Sequence, residues 1–186
     1  MANINKISGQ KLVDLISVGY HFKNDLAYHG TERAVYQVSK SGQDFVFKVA
    51  HPHQWQYKNH LKAEEEALNR ACGLEGVTRL YEVFTGRGGY FGILKEFMGG
   101  RDLRVRGGKI SPELYNGVVE TVGELHLRGV ANLEIFPRNL IVSDDPSRIK
   151  IIDLGTAVLE DGATDFEFAK NKDKANLLAI ARQYVA

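Results

Sequence analysis

Cysteine and surplus charge are what this chain has least of. Cys72 is the single cysteine in 186 residues, which excludes an intrachain disulfide framework, and with no Cys or His cluster around it one thiol makes a poor zinc site. A reducing compartment fits best. Lys and Arg number 24 against 23 Asp and Glu, a formal net charge of +1, so no bulk electrostatic attraction favours nucleic acid or an anionic membrane, and neither is expected as a partner. No stretch approaches the roughly 18 uninterrupted apolar residues needed to span a bilayer, and Met1-Ala-Asn-Ile-Asn-Lys lacks the apolar run of a secretion signal. The expectation is a protein that is soluble and cytoplasmic at synthesis, with export by a signal-less route left open. Internal repeats and low-complexity tracts are absent as well.

What is present is enough apolar material for a core, 44% of the residues, in a length that suits one domain or a compact pair of lobes. Val35-Tyr-Gln-Val and Asp44-Phe-Val-Phe-Lys-Val are β-rich runs whose Gly-containing connection predicts a hairpin. From Tyr57 to about Cys72 strong helix formers carry Leu61, Ala67, Leu68 and Ala71 at helical spacing, and Gly73 stands where a helix stops. Val77 to Phe84 and Tyr90 to Phe97 are two further strand candidates around Thr85-Gly-Arg-Gly-Gly. The first hundred residues therefore predict an antiparallel sheet with one packed helix.

Gly99-Gly-Arg-Asp reads as a hinge or linker. Ser111, Pro112 and Glu113 predict a helix start, with Ser at the N-cap and Pro at the first helical position, and Gly129 ends that helix. Leu140-Ile-Val and Ile149-Lys-Ile-Ile flank a turn-rich segment and predict a small hairpin. A last helix is expected over 173–184.

The residues that carry chemistry form an ordered series. Phe45-Val-Phe-Lys48-Val resembles the protein-kinase strand whose lysine pairs with nucleotide phosphates, and Glu64 lies sixteen residues on, in Ala63-Glu-Glu-Glu-Ala-Leu68. A buried cation near phosphate needs a carboxylate to hold it, because a free lysine loses rotamer entropy and can lose its proton. Glu64 is the candidate among three, one helical turn before Leu68, while Glu65 and Glu66 point elsewhere around the helix. Tyr90 to Leu103 is similar to the last strand of a kinase N-lobe running into the hinge. Glu96, Phe97 and Met98 would then be the hinge whose backbone meets adenine, with Lys95 where a residue guards the back of the adenine pocket.

The most informative stretch is Leu125-His-Leu-Arg-Gly-Val-Ala-Asn132-Leu-Glu134-Ile-Phe-Pro-Arg-Asn139, followed by Ile149-Lys-Ile-Ile-Asp153-Leu-Gly155. It resembles the kinase catalytic loop, H-R-D-x-x-x-x-N, and then the metal-binding D-F-G. Aligned from Asn139, the catalytic Asp falls on Glu134 and the preceding His on Asn132, so the usual backbone anchor is missing. The phosphate loop, Leu26 to Tyr36, keeps one of three glycines, Gly30. After Asp153 there is no A-P-E element and no room for the late helices that dock peptides. Asp173 is the candidate brace of the catalytic loop, and His126 reads as a core histidine. His51, His53, His60 and Trp55 lack a ligand spacing and read as loop or partner surface.

The resemblance covers roughly residues 26–184 and is to the reduced members of the protein-kinase-like superfamily, similar to lipopolysaccharide kinases, RIO-type kinases and minimal bacterial effector kinases. It implies an α+β, bilobal kinase-like fold: an N-lobe over residues 1–98, with an antiparallel sheet and one helix, and a truncated helical C-lobe over 99–186. It also implies ATP and Mg²⁺ as cofactors. Lys48, Glu134 and Asp153 would serve catalysis; Gly30, Lys48, Glu64, Glu96, Phe97, Met98, Asn139 and Asp153 would bind the nucleotide, and Asn139 and Asp153 the metal. The implied activity is transfer of phosphate to a Ser or Thr hydroxyl of a protein substrate. Two alternatives share this site: a pseudokinase binding module and a small-molecule or sugar kinase.

Overall fold

The structure is a computed structural model that describes residues 19–26, 34–161 and 164–186. Gly30 and most of the expected phosphate loop lie outside the described residues. The chain divides into two compact units: Met1–Leu61 with Leu80–Phe97, and Lys62–Arg79 with Met98–Ala186.

The first unit is built on a five-stranded antiparallel sheet in the order β1-β2-β3-β5-β4. Its strands are β1 (His21–Asp25), β2 (Ala34–Lys40), β3 (Gln43–Ala50), β4 (Leu80–Thr85) and β5 (Phe91–Glu96). Ser41 and Gly42 alone connect β2 to β3, with φ of 51° and 80°, the left-handed pair that matches the twist of a tight hairpin. Residues opposite one another in antiparallel strands share a face. Tyr36 faces Phe47, Val38 faces Phe45 and Phe47 faces Leu94, and these residues with Tyr20, Ala34 and Val49 form one buried cluster. Edge-to-face rings bind it together, Tyr20 on Phe45 at 5.8 Å and Phe47 on Phe84 at 5.5 Å. Gly92 is required on this face, since a Cβ there would stand 2.9 Å from the Phe47 ring.

Helix α1 (Trp55–Arg70) begins in the first unit and ends in the second. Leu61, Ala67, Leu68 and, just past its end, Ala71 are all buried, as their spacing requires, and Gly73 with φ 85° takes the left-handed conformation that closes a helix. The expected strand over 77–84 is shorter: β4 starts at Leu80. The preceding residues are drawn away by a different partner, strand β9 (Ile149–Ile151). Val77 bridges Ile151 in parallel, the Ile151 N–H donates to the Gly76 carbonyl at 2.9 Å, and the Thr78 N–H donates to the Ile151 carbonyl at 3.2 Å.

In the second unit, half of the expected linker is structured. Arg101–Asp102 forms β6, which pairs with β8 (Leu140–Val142) beside β9. Asp102 then caps the short helix α2 (Leu103–Arg106) by accepting from the Val105 N–H at 2.9 Å. Helix α3 (Pro112–Leu127) starts as its sequence dictates, with Ser111 Oγ accepting from the Leu114 N–H. Gly129 follows it with φ 70°. Strand β7 (Val130–Ala131) pairs with β10 (Val158–Leu159). Helix α4 (Phe166–Tyr184) begins seven residues before the expected Asp173, because Phe166 and Ala169 are buried against Ala131, with Val158 packed alongside.

Gly100 has φ 132°, and a Cβ on it would lie 2.1 Å from the Val142 carbonyl oxygen. Gly123, exposed in α3, would meet nothing within 4 Å. Two alanine substitutions should therefore differ in sign when unfolding is followed in urea. Gly100→Ala is expected to lower the unfolding free energy by about 1–3 kcal/mol, whereas Gly123→Ala should raise it by about 0.4–1 kcal/mol.

Candidate functional site

In the first unit Lys48 lies near the end of β3, opposite Val35 and Ile93, with 8% of its surface exposed. Lys95 on β5 is more deeply buried, at 2%. Glu96, the last residue of β5, and Phe97 end this unit, and Met98 opens the next; all three are half-buried. The His51 and His53 rings lie 5.5 Å apart, tilted by 40°, in the loop before α1, and Trp55, which follows, is 65% exposed. Burial pushes the His51 imidazole down, and the neighbouring His53 adds to the shift.

The other candidates belong to the second unit. Of three consecutive glutamates, Glu64 is buried at 1% while Glu65 is half-buried and Glu66 exposed. Glu66 instead pairs along the helix with Arg70 at 3.4 Å. The Arg70 guanidinium also meets the Asp161 carboxylate and donates to the Gly129 carbonyl at 3.2 Å, tying the end of α1 to the segment beyond Asp153.

The β8–β9 hairpin sets Asn139 and Asp153 at the same end. Leu140 pairs with Ile151, and the Ile152 N–H donates to the Asn139 carbonyl at 3.0 Å, so Asn139 lies opposite Ile152 and Asp153 comes one residue beyond that bond. Asn139 is buried, and its Nδ2 donates to the Glu134 carbonyl at 2.9 Å. With Nδ2 engaged in that bond, the carboxamide oxygen is the other polar atom of the side chain. One Asp153 oxygen, Oδ1, accepts from the Gly155 N–H at 3.1 Å.

The loop leading to Asn139 alternates in burial. Leu133 and Ile135 are at 0% and 1% exposure, and Asn132, Glu134 and Phe136 are half-buried. Holding those two apolar anchors inside forces Asn132 and Glu134 into the left-handed region, with φ of 56° and 46°. Asparagine tolerates that conformation, but glutamate rarely adopts it. Two donors offset the strain at Glu134, whose carbonyl accepts from the Phe136 N–H at 2.6 Å as well as from Asn139. Backbone held in this way concentrates at functional sites. The Arg138 guanidinium lies over the Phe136 ring at 4.7 Å and 3.8 Å from the Glu134 carboxylate.

Asp173 fastens the loop from α4. Its side chain is fully buried; Oδ1 accepts from the Leu133 N–H at 2.8 Å, and Oδ2 meets His126 Nε2 of α3 at 3.0 Å. His126 is the expected core histidine, and its partner is this carboxylate.

The anchor judged missing at Asn132 exists in another form. Asn132 Nδ2 donates to the Thr156 carbonyl at 2.6 Å, and its Oδ1 accepts from Lys172 Nζ at 2.8 Å, so one amide joins the loop, the segment after Asp153 and α4. The tolerance of asparagine for the left-handed region was the signal that could have revealed it. Among the described residues no group of three or more His, Cys, Asp or Glu could hold a metal ion. No helix among them is long and apolar enough to cross a membrane.

No protein-family model matches the chain. Over 170 residues, 86% of its length, it is 26% identical to CBL-interacting protein kinase 19 of Oryza sativa subsp. japonica. It is thus similar to a protein kinase, and it spans about a third of that relative's length, 33%.

Asp173→Ala leaves the buried Leu133 N–H without its acceptor, and should lower the unfolding free energy by about 1–3 kcal/mol. Asp173→Asn, which keeps a carboxamide oxygen for Leu133, should lose less. Thermal denaturation of the two variants beside the native chain checks the order.

Proposed function

We propose that this chain is an ATP- and Mg²⁺-dependent phosphotransferase of protein-kinase type, with a reduced bilobal kinase fold and a Ser or Thr hydroxyl of a protein as acceptor. The observation that carries this reading is the β8–β9 hairpin end, where Asn139 and Asp153 stand beside a strained loop that presents Glu134. The donor set suits magnesium, a hard cation that takes one or two protein oxygens and completes its shell with phosphate and water. Asn139 offers its carboxamide oxygen and Asp153 its carboxylate. Magnesium held there would neutralise charge on the phosphates as it moves.

The chain's own residues do the positioning. Lys48 would supply a cation for the phosphates, and Glu64, the buried one of three glutamates, is the carboxylate that the kinase resemblance assigns to it. The backbone of Glu96, Phe97 and Met98 would hydrogen-bond the base, and Gly30 would approach the phosphates. Glu134 orients the acceptor hydroxyl and takes its proton; the two hydrogen bonds to its carbonyl limit where its carboxylate can swing. Such positioning matters because a displacement near 1 Å can cost on the order of 100-fold in rate.

A second reading, a nucleotide-binding module without transfer, is favoured by one feature. Arg138 lies 3.8 Å from the Glu134 carboxylate that would have to accept the proton.

The test is incubation with γ-labelled ATP, Mg²⁺ and a mixed protein substrate, comparing the native chain with Glu134→Ala and Asp153→Ala. Asp153→Ala should abolish incorporation, and Glu134→Ala should reduce it by about 10²–10⁴-fold. Equal incorporation in all three would refute the site. Nucleotide binding with no transfer by the native chain would select the second reading.

A further inference from the structure

One contact of the candidate site opposes the site's own chemistry. The Arg138 guanidinium lies 3.8 Å from the Glu134 carboxylate, the group assigned to take the acceptor's proton. That separation is long for a charge-assisted hydrogen bond, which closes to about 2.7–2.9 Å. Both side chains also meet solvent, at 54% and 29% exposure, and an exposed ion pair of this kind holds its members only weakly. Arg138 is placed by its flat face instead, over the Phe136 ring at 4.7 Å. Stacking on a ring leaves the in-plane N–H donors of a guanidinium open to a further anion. Arg138 is thus a positioned cation beside Glu134 that a competing carboxylate can draw away at small cost.

The surface next to it is cationic too. Helix α2 packs against the turn Pro137–Asn139 that carries Arg138, with Leu103 of α2 fully buried. Residues 101–109, which include α2, hold four cations, Arg101, Arg104, Arg106 and Lys109, against the single carboxylate of Asp102. For a chain whose formal net charge is +1, that is a local excess. Asp102 is occupied in capping α2: it accepts from the Val105 N–H at 2.9 Å and lies 3.7 Å from Arg104. Arg101 pairs with Val142 and Asp102 with Ile141, so the chain runs from β6 into α2 toward the Asn139 end of β8 and away from the acidic turn at Asp144 and Asp145. Glu134, Arg138 and α2 all belong to the second unit.

We propose that Arg138, with Arg104 and Arg106 of α2, selects the acceptor: a peptide segment whose Ser or Thr is flanked by Asp or Glu. The proposal rests on the phosphotransferase reading and narrows its acceptor from a protein hydroxyl to a hydroxyl in an acidic sequence. A flanking carboxylate pairs with the Arg138 fork, which brings the hydroxyl to Glu134 and takes the competing cation off that base. A basic flank meets like charge and leaves Arg138 on Glu134. The contact that favours a module without transfer is then the one that an acidic acceptor releases.

The experiment measures kcat and KM with γ-labelled ATP and Mg²⁺ for three peptides that differ only in the flanks of one serine: Asp and Glu, Ala and Gln, or Arg and Lys. The native chain is expected to favour the acidic peptide over the neutral one by roughly 5- to 20-fold in kcat/KM, and the preference should shrink as NaCl screens exposed charge. Arg138→Gln should erase most of it while the rate on the neutral peptide holds or rises. Arg138→Glu should turn the preference toward the basic peptide, whereas a merely structural role would lower all three peptides together and count against selection. Arg104→Gln with Arg106→Gln should raise KM for the acidic peptide about threefold or more; an unchanged KM overturns the part assigned to α2. A native chain that phosphorylates the neutral or basic peptide at least as well as the acidic one overturns the proposal and leaves the phosphotransferase reading standing, and this comparison needs no variant to fold. Incorporation into none of the three peptides overturns both.

Discussion

The geometry of the candidate site depends on one buried carboxylate. Asp173 is fully enclosed and meets two demands at once, a backbone N–H from Leu133 and the imidazole of His126. Removing a charge-bearing group from water is costly unless hydrogen bonds satisfy it, and these two contacts come from different elements. Satisfying Asp173 therefore fixes α3, α4 and the loop between β7 and β8 against one another. Leu133 sits between the two left-handed residues, so its position sets theirs.

From that anchor the loop is held by amides and carbonyls more than by charge. Asn139 donates to the Glu134 carbonyl, and Asn132 reaches both Thr156 and Lys172. An amide can donate and accept in the same place, which lets one side chain join three segments without burying another ion. The consequence for chemistry lies in what remains. With its nitrogen engaged by the Glu134 carbonyl, Asn139 keeps its carboxamide oxygen, and Asp153 follows directly after the Ile152 that bonds the Asn139 backbone.

The sheet of the first unit separates two kinds of work. Its aromatic face supplies the apolar burial that stabilises the unit, with rings in edge-to-face contact. Its other face gives up part of that burial to hold Lys48 and Lys95. Alternation along a strand makes this possible, because each successive residue faces the opposite way. A substitution can thus recharge one face without disturbing the other.

Much of this was legible in the sequence because it rests on local pattern. Helical spacing of Leu61, Ala67 and Leu68, the Ser111 cap with Pro112, and the paired runs around Asn139 and Asp153 all express short-range backbone physics, and the elements formed where those signals lie. Glu64 differs from its two neighbours by its angle around a helix, which sequence position alone defines. Tertiary structure decided what depends on partners distant along the chain. Val77 left its expected strand because Ile151 offered a backbone ladder, and α4 began early because Phe166 had Ala131 to cover. Asn132 became an anchor only when Thr156 and Lys172 came within hydrogen-bonding distance, and the nearness of Lys95 to Lys48 followed from the register of β3 with β5. Local propensity has no term for such contacts, since their energy exists only after the chain has closed the loops that bring them together.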